Sequence, residues 1–202
     1  MEFNSRCNIL PDVRFTELGG LLMERLAKVG ALIEPQNFAS LLDPLMREVL
    51  QQGFAEAGAQ EGTIWLMDAT SQYLIPAYNT GPNAHKLVGE VRLPLNAGLI
   101  SMVLASEQPF VENQVHKNSR RSTLLDDLLQ VQTYALIAVP FYLLKRCYGV
   151  VSCVQLKSPG SAQADPPGFA PDHLSSVQRA ASILTRLLEY RLLSSTVGWA
   201  AD

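Results

Sequence analysis

"TYALIAVPFYLLKRCYGVVSCVQL", residues 133–156, decides the fold class. It holds two apolar runs, 135–144 and 147–156, on either side of Lys145 and Arg146. Runs of this kind, rich in β-branched and aromatic residues and joined by a short polar turn, read as a β-hairpin. Pro140 has no amide proton, so it has to sit at a strand edge or a bulge. Gly149 leaves room for a kink or for the close approach of another backbone. Residues 136–142 are apolar on both faces of the strand, and so are residues 64–67. A sheet built from such strands has to be covered on both sides.

Working outward, residues 62–67 and 73–78 flank a turn-like segment and make another hairpin. A polar loop at 79–86, with Gly81 and Pro82, leads to a third strand at 88–93, closed by Pro94. A helix follows over 98–106, with Asn96 as its cap. Residues 109–112 form a very short strand and 113–121 a polar, basic loop. A short helix over 123–131 is capped by Ser122. At the amino-terminal side, Leu18, Leu22, Leu26, Val29 and Ile33 recur at helical spacing, and Pro35 closes that helix. Phe38, Leu41, Leu42, Leu45, Val49, Leu50 and Phe54 mark a second helix, with Gly53 and Gly58 near its end. Residues 158–171 are rich in Pro, Gly, Ser and Ala and read as a surface loop. In the final helix, over 172–194, Leu174, Val177, Ala181, Leu184, Leu188 and Leu192 approach a heptad seam. The long terminal helices are expected on one face of the sheet and the short middle segments on the other.

Composition narrows the function. Sixteen Lys and Arg stand against 19 Asp and Glu, a net charge of -3, which argues against a nucleic-acid partner. No apolar run is long enough to span a membrane, and residues 1–11 lack an apolar signal core, so the expected compartment is the cytoplasm. Cys7, Cys147 and Cys153 are an odd number, as fits a reducing compartment. Cys147 and Cys153, six residues apart in one strand, would lie roughly 20 Å apart, too far to bridge.

The order of elements, with three stretches of sequence, resembles a GAF domain. "LPLNAGLISMVLASEQPFVEN" (93–113) is similar to the family's strand, glycine-started helix and short strand. The 133–156 hairpin carries Pro140 and Gly149 where the family pattern has its proline and glycine. "FAPDHLSSVQRAASIL" (169–184) is similar to the entry of the last helix. The likeness covers about residues 37–192. It implies an α+β fold: a central antiparallel sheet of about six strands, long terminal helices on one face, and short helices and loops forming a cleft on the other. Residues 1–35 then form an N-terminal extension with an amphipathic helix, 36–194 the domain, and 195–202 a frayed tail. Members bind cyclic nucleotides, tetrapyrroles, haem, small metabolites or nothing, so the fold leaves the cofactor unknown.

Particular family chemistries can be tested on the residues. Of the cyclic-nucleotide pattern, Lys157 and Phe169 match, whereas Leu156 replaces an Asn and Asp172-His173 stands in for an acidic pair. Residues 79–133 contain no cysteine, which removes covalent bilin attachment there. The three cysteines do not match the placement found in methionine sulfoxide reductases of this fold, so that enzymatic alternative lacks its nucleophile. His116 is the one histidine in the segment where a haem ligand would lie. His85, His116 and His173 are isolated, so no metal site is expected. Asp126 and Asp127 are adjacent on a helix and point about 100° apart, which argues against a shared catalytic site.

What remains is a basic cluster, His116, Lys117, Arg120 and Arg121, expected near the cleft mouth. Arg120 and Arg121 suit a carboxylate or phosphate, and the helix start at Gly98 adds free amides. The expected ligand site is therefore Tyr78, His116, Arg120, Arg121 and Tyr134, and the expected ligand a small anionic metabolite. Leu22, Leu26, Val29 and Ile33, beside Leu184, Leu188 and Leu192, are expected to join two copies as a four-helix bundle. The function expected is a non-enzymatic regulatory module, homodimeric and acting on an output protein or domain. The alternative is a dimerisation scaffold with a vestigial cleft.

Overall fold

The computed structural model describes residues 16–158 and 164–198. Its centre is a sheet of β1 (Glu61–Met67), β2 (Tyr73–Asn79), β3 (Leu93–Pro94), β4 (Phe110–Glu112), β5 (Gln132–Leu143) and β6 (Arg146–Lys157). The strand order is β3-β2-β1-β6-β5-β4, and all neighbours are antiparallel. The hairpin at 133–156 is β5 and β6. Pro140 lies opposite Val150, beyond the point where β4 begins at Phe110 opposite Ala138. β5 is thus an edge there, as a residue without an N–H requires. Gly149 sits between Leu66 of β1 and Phe141 of β5. A Cβ on it would lie 1.8 Å from the Trp65 carbonyl oxygen, so the glycine permits a close backbone approach.

Alternation along the strands divides the core in two. Ile64, Leu66, Ile137, Val139, Phe141 and Val151 face three helices, α1 (Thr16–Gly30), α3 (Pro44–Glu56) and α7 (Pro171–Thr196). Trp65, Leu74, Leu136, Ala138 and Val150 face α5 (Gly98–Ser106), with Val115 and Leu125 beside it. The remaining short helices are α2 (Pro35–Phe38), α4 (Ala84–Leu87) and α6 (Leu124–Leu129).

Several local expectations are corrected. The second helix is not continuous: α2 and a 3-10 turn at Ala39–Leu41 precede α3. Asp43 restarts the helix by accepting a hydrogen bond from the Met46 N–H at 2.8 Å, with Pro44 in its first turn. Pro35 opens α2; α1 has already ended at Gly30. Of the expected third strand, 88–93, only Leu93 pairs with β2, followed by Pro94, because residues 88–90 form a turn after α4. Neither α5 nor α6 carries a side-chain cap; Ala97, not Asn96, is at the cap position of α5. Ser195 and Thr196 belong to α7, and residues 1–15 and 199–202, with Cys7, lie outside the described residues.

The residues of the expected dimer seam lie on the core face of this chain. Leu26, Leu184, Leu188 and Leu192 are buried against the sheet, and Leu22, Val29 and Ile33 pack beside them. A stripe at steps of three and four has the same spacing whether it meets a sheet or a partner helix, which is why the two readings coincide in sequence. Gly20 of α1 has open space where its Cβ would be. Gly20→Ala is expected to raise the unfolding free energy by about 0.5–1 kcal/mol in a urea titration. No change would mean that α1 undocks before the sheet unfolds.

Candidate functional site

On the α5 side of the sheet lies a cleft of about 770 Å³, counted out to its open mouth. Its floor is Glu61, Thr63 and Trp65 of β1, Ser152 and Val154 of β6, and Thr133 and Leu136 of β5. The start of α5 at Gly98, Leu99 and Ile100 covers one part, and Arg121, Leu125 and Asp126 wall another. Most of this lining is aliphatic. The polar groups are few and mostly engaged with each other. The Trp65 Nε1–H donates to Ser152 Oγ at 2.9 Å, and Asn79 Nδ2 donates to Thr63 Oγ1 at 2.9 Å.

Asp126 holds the wall to the floor. Its Oδ1 accepts from the Thr133 amide at 3.1 Å and from the Thr133 hydroxyl at 2.6 Å. Its Oδ2 meets Arg121 Nη1 at 3.4 Å. The aspartate therefore ties α6 and the preceding loop to β5, and the cation it holds is the one guanidinium in the lining.

Glu61 is different. It is only 7% exposed, yet among the described residues no donor hydrogen-bonds to its carboxylate and no cation pairs with it. Burial pushes its carboxyl above the usual range. A carboxyl with a raised folded pKa favours its neutral form. The penalty on the native state is absent in acid and appears as pH rises from the unfolded value through the folded one. Glu61→Gln is therefore expected to raise the melting temperature near pH 7, with the gain vanishing near about pH 4. A thermal melt series across that range checks it; an equal gain at both ends would mean the carboxyl is not penalised.

Of the five expected ligand residues, Arg121 alone lines the cleft. Tyr78 lies opposite Ile64 and packs on the helix side of the sheet, with Arg47 5.9 Å from its ring centre. Tyr134 also packs on the helix side, and His116 stacks on it with ring centres 5.4 Å apart. Among the described residues His116 Nδ1 is buried without a hydrogen-bond partner, and the ring is not part of the cleft lining. Arg120 is exposed, with Nη1 3.8 Å from Met102 Sδ. Glu112 pins the basic loop instead. It accepts from Asn118 Nδ2 at 2.8 Å and from the Gln114 amide at 3.0 Å, and these bonds hold its carboxyl below the usual range.

The cyclic-nucleotide pattern is likewise put to other uses. Phe169 is buried in the helix-side core, and Lys157 pairs with Asp165. Neither lines the cleft. The described thiols are elsewhere too. Cys153 is buried on the helix side, where burial pushes it up to about 12, and Cys147 is raised by burial and by Glu107. Among the described residues no three His, Cys, Asp or Glu side chains gather to hold a metal ion. No helix among them is long and apolar enough to cross a membrane.

Sequence reading missed Glu61, Thr63, Thr133 and Ser152. A signal for the first two was present: Glu61 and Thr63 alternate with Gly62 and Ile64, which puts both polar residues on the face of Trp65.

An antiparallel sheet with long helices on one face and a cleft under short segments on the other is an α+β, GAF-like architecture. The chain belongs to the GAF domain family, which it matches over residues 41–187. No curated protein matches it in sequence. Among solved structures, it is similar to the GAF domain/HD domain protein from Geobacter sulfurreducens. That match has 17% identity and a TM-score of 0.57, and covers 76% of this chain and 96% of the other. The GAF domain of a phosphoenolpyruvate-protein phosphotransferase from Coxiella burnetii is similar at 15% identity and a TM-score of 0.58. There 91% of this chain and 97% of the other are covered. The GAF-B domain of DevS from Mycobacterium smegmatis is similar at 16% identity and a TM-score of 0.53, over 78% and 100% of the two chains. At such identities these likenesses speak for the fold alone.

Proposed function

We propose that the chain is a non-enzymatic regulatory module that binds a small molecule in this cleft. It acts in the cytoplasm as a homodimer and passes the bound state to a separate output protein or domain. The observation that carries the reading is the cleft itself: a largely aliphatic hollow beneath α5 with a small number of placed polar groups, Glu61, Thr63, Arg121 and Asp126 among them.

A dimer needs a face other than the seam. Ile183, Tyr190 and Leu193 are exposed on α7, and Tyr190 is 62% exposed. At 100° per residue they lie on the side of the helix opposite Val177, Leu184 and Leu188. Leu18 and Leu21 are exposed on α1, which packs against α7. Two copies joined through these outward stripes would bury apolar surface that one copy leaves in water.

Native mass spectrometry of the protein purified from its own host tests both parts. The expected mass is twice the chain plus a small adduct. Tyr190→Glu is expected to give a folded monomer. A wild-type monomer would sink the dimer, and a clean dimer without adduct would favour a scaffold with a vestigial cleft.

A further inference from the structure

The charges in the cleft select a kind of ligand, an inference that rests on the cleft being a binding site. The lining contains three ionisable side chains, Glu61, Arg121 and Asp126. Arg121 and Asp126 face each other at 3.4 Å, and Asp126 also takes both hydrogen bonds from Thr133. That pair is electrically closed. Glu61 is left over, more than nine-tenths buried and without a donor or a cation among the described residues.

Glu61 is also held in place. It starts β1 and pairs with Val154, and its Oε2 lies where a Cβ on Gly81 would be, 1.6 Å away. The bare glycine thus leaves the carboxylate its room, and the Gly81 amide does not satisfy it, because that N–H donates to Asn79 Oδ1 at 2.7 Å. Thr63, two residues along on the same face, is about 6.6 Å further into the cleft. Its oxygen already accepts from Asn79. Among the described residues the cleft therefore offers acceptors and no unpaired cation. A buried charge without a partner is costly, and a ligand that brings the partner removes the cost.

We infer that the cleft takes a compact, largely apolar molecule carrying one protonated amine, which binds against the Glu61 carboxylate while its body fills the aliphatic space beneath α5. An anion would enter against Glu61 with Arg121 already committed. A neutral molecule would leave the carboxylate unpaired.

Isothermal titration of the full chain with phenethylamine, 2-phenylethanol and 3-phenylpropionate near about pH 7.5 tests this, since the three share a phenyl-alkyl body and differ in charge. Phenethylamine is expected to bind about tenfold more tightly than the alcohol, and the carboxylate more weakly than either. In Glu61→Gln, amine and alcohol should converge to within about twofold, while Glu90→Gln, at an exposed position, keeps the preference. The ranking is read on the wild type, so it stands even if the Glu61 variant does not fold. Equal binding of amine and alcohol, or a preference for the carboxylate, overturns the inference while the cleft remains a binding site. Binding of none of the three overturns both.

Discussion

Gly149→Ala is expected to cost about 3 kcal/mol or more of unfolding free energy, enough to leave little folded protein. The position has no alternative room. Gly149 is enclosed by β1 and β5, and a methyl group there would lie 1.8 Å from the Trp65 carbonyl oxygen and 3.1 Å from the Leu66 Cα. These are backbone atoms, so no side chain can swing aside. β1 would have to move by more than an ångström, and the β1–β6 ladder and the buried Trp65–Ser152 hydrogen bond would move with it. Urea unfolding followed by circular dichroism measures the loss, with Gly20→Ala as the glycine replacement that meets nothing. A Gly149→Ala protein within about 1 kcal/mol of wild type would mean that the two strands do not approach this closely.

Asp126→Ala is expected to cost about 2–4 kcal/mol and to loosen the cleft wall. The substitution leaves the Thr133 amide and hydroxyl without their acceptor and Arg121 without its counter-charge. Arg121 is partly exposed, so solvent recovers some of the loss, which places the expectation toward the lower end. Asp126→Asn keeps an acceptor for Thr133 and should lose less than half as much. Hydrogen exchange separates the two consequences. Faster exchange confined to α6 and residues 115–125 is expected in Asp126→Ala, with the α3 and α7 amides unchanged. Uniform acceleration across the domain would show that Asp126 supports the whole fold and not the wall.

The site was only partly legible in sequence, and the reason differs by residue. Arg121 was visible because a basic cluster in an acidic chain draws attention. Its partner Asp126 was seen only as one of two adjacent helix acids, since nothing local says that Thr133, seven residues on, returns to meet it. Tyr78 and Tyr134 were assigned to the pocket by position in the chain, yet a bulge beside each, at Ala77 and between Thr133 and Ala135, breaks the alternation and turns both to the helix side. Glu61 was passed over because a glutamate at the start of an apolar strand looks like an end. Whether it opens to solvent depends on the turn at Gly81, which comes twenty residues later.

Local chemistry determined a good deal. Short apolar runs joined by polar turns placed both hairpins, and the boundaries of α5 agree with the expected 98–106. Pro140 and Gly149 announced an edge and a close approach because each lacks a group, an N–H in one case and a Cβ in the other. The tertiary structure decided what a spacing cannot carry. The stripe of Leu184, Leu188 and Leu192 has one period and two equally good partners, a sheet or a second chain, and only packing against β5 chose between them. The same holds for charge. The sequence counts Arg121, Asp126 and Glu61 alike, but folding closes the first two on each other and leaves the third alone in an aliphatic cleft, because pairing is a matter of distance and not of composition.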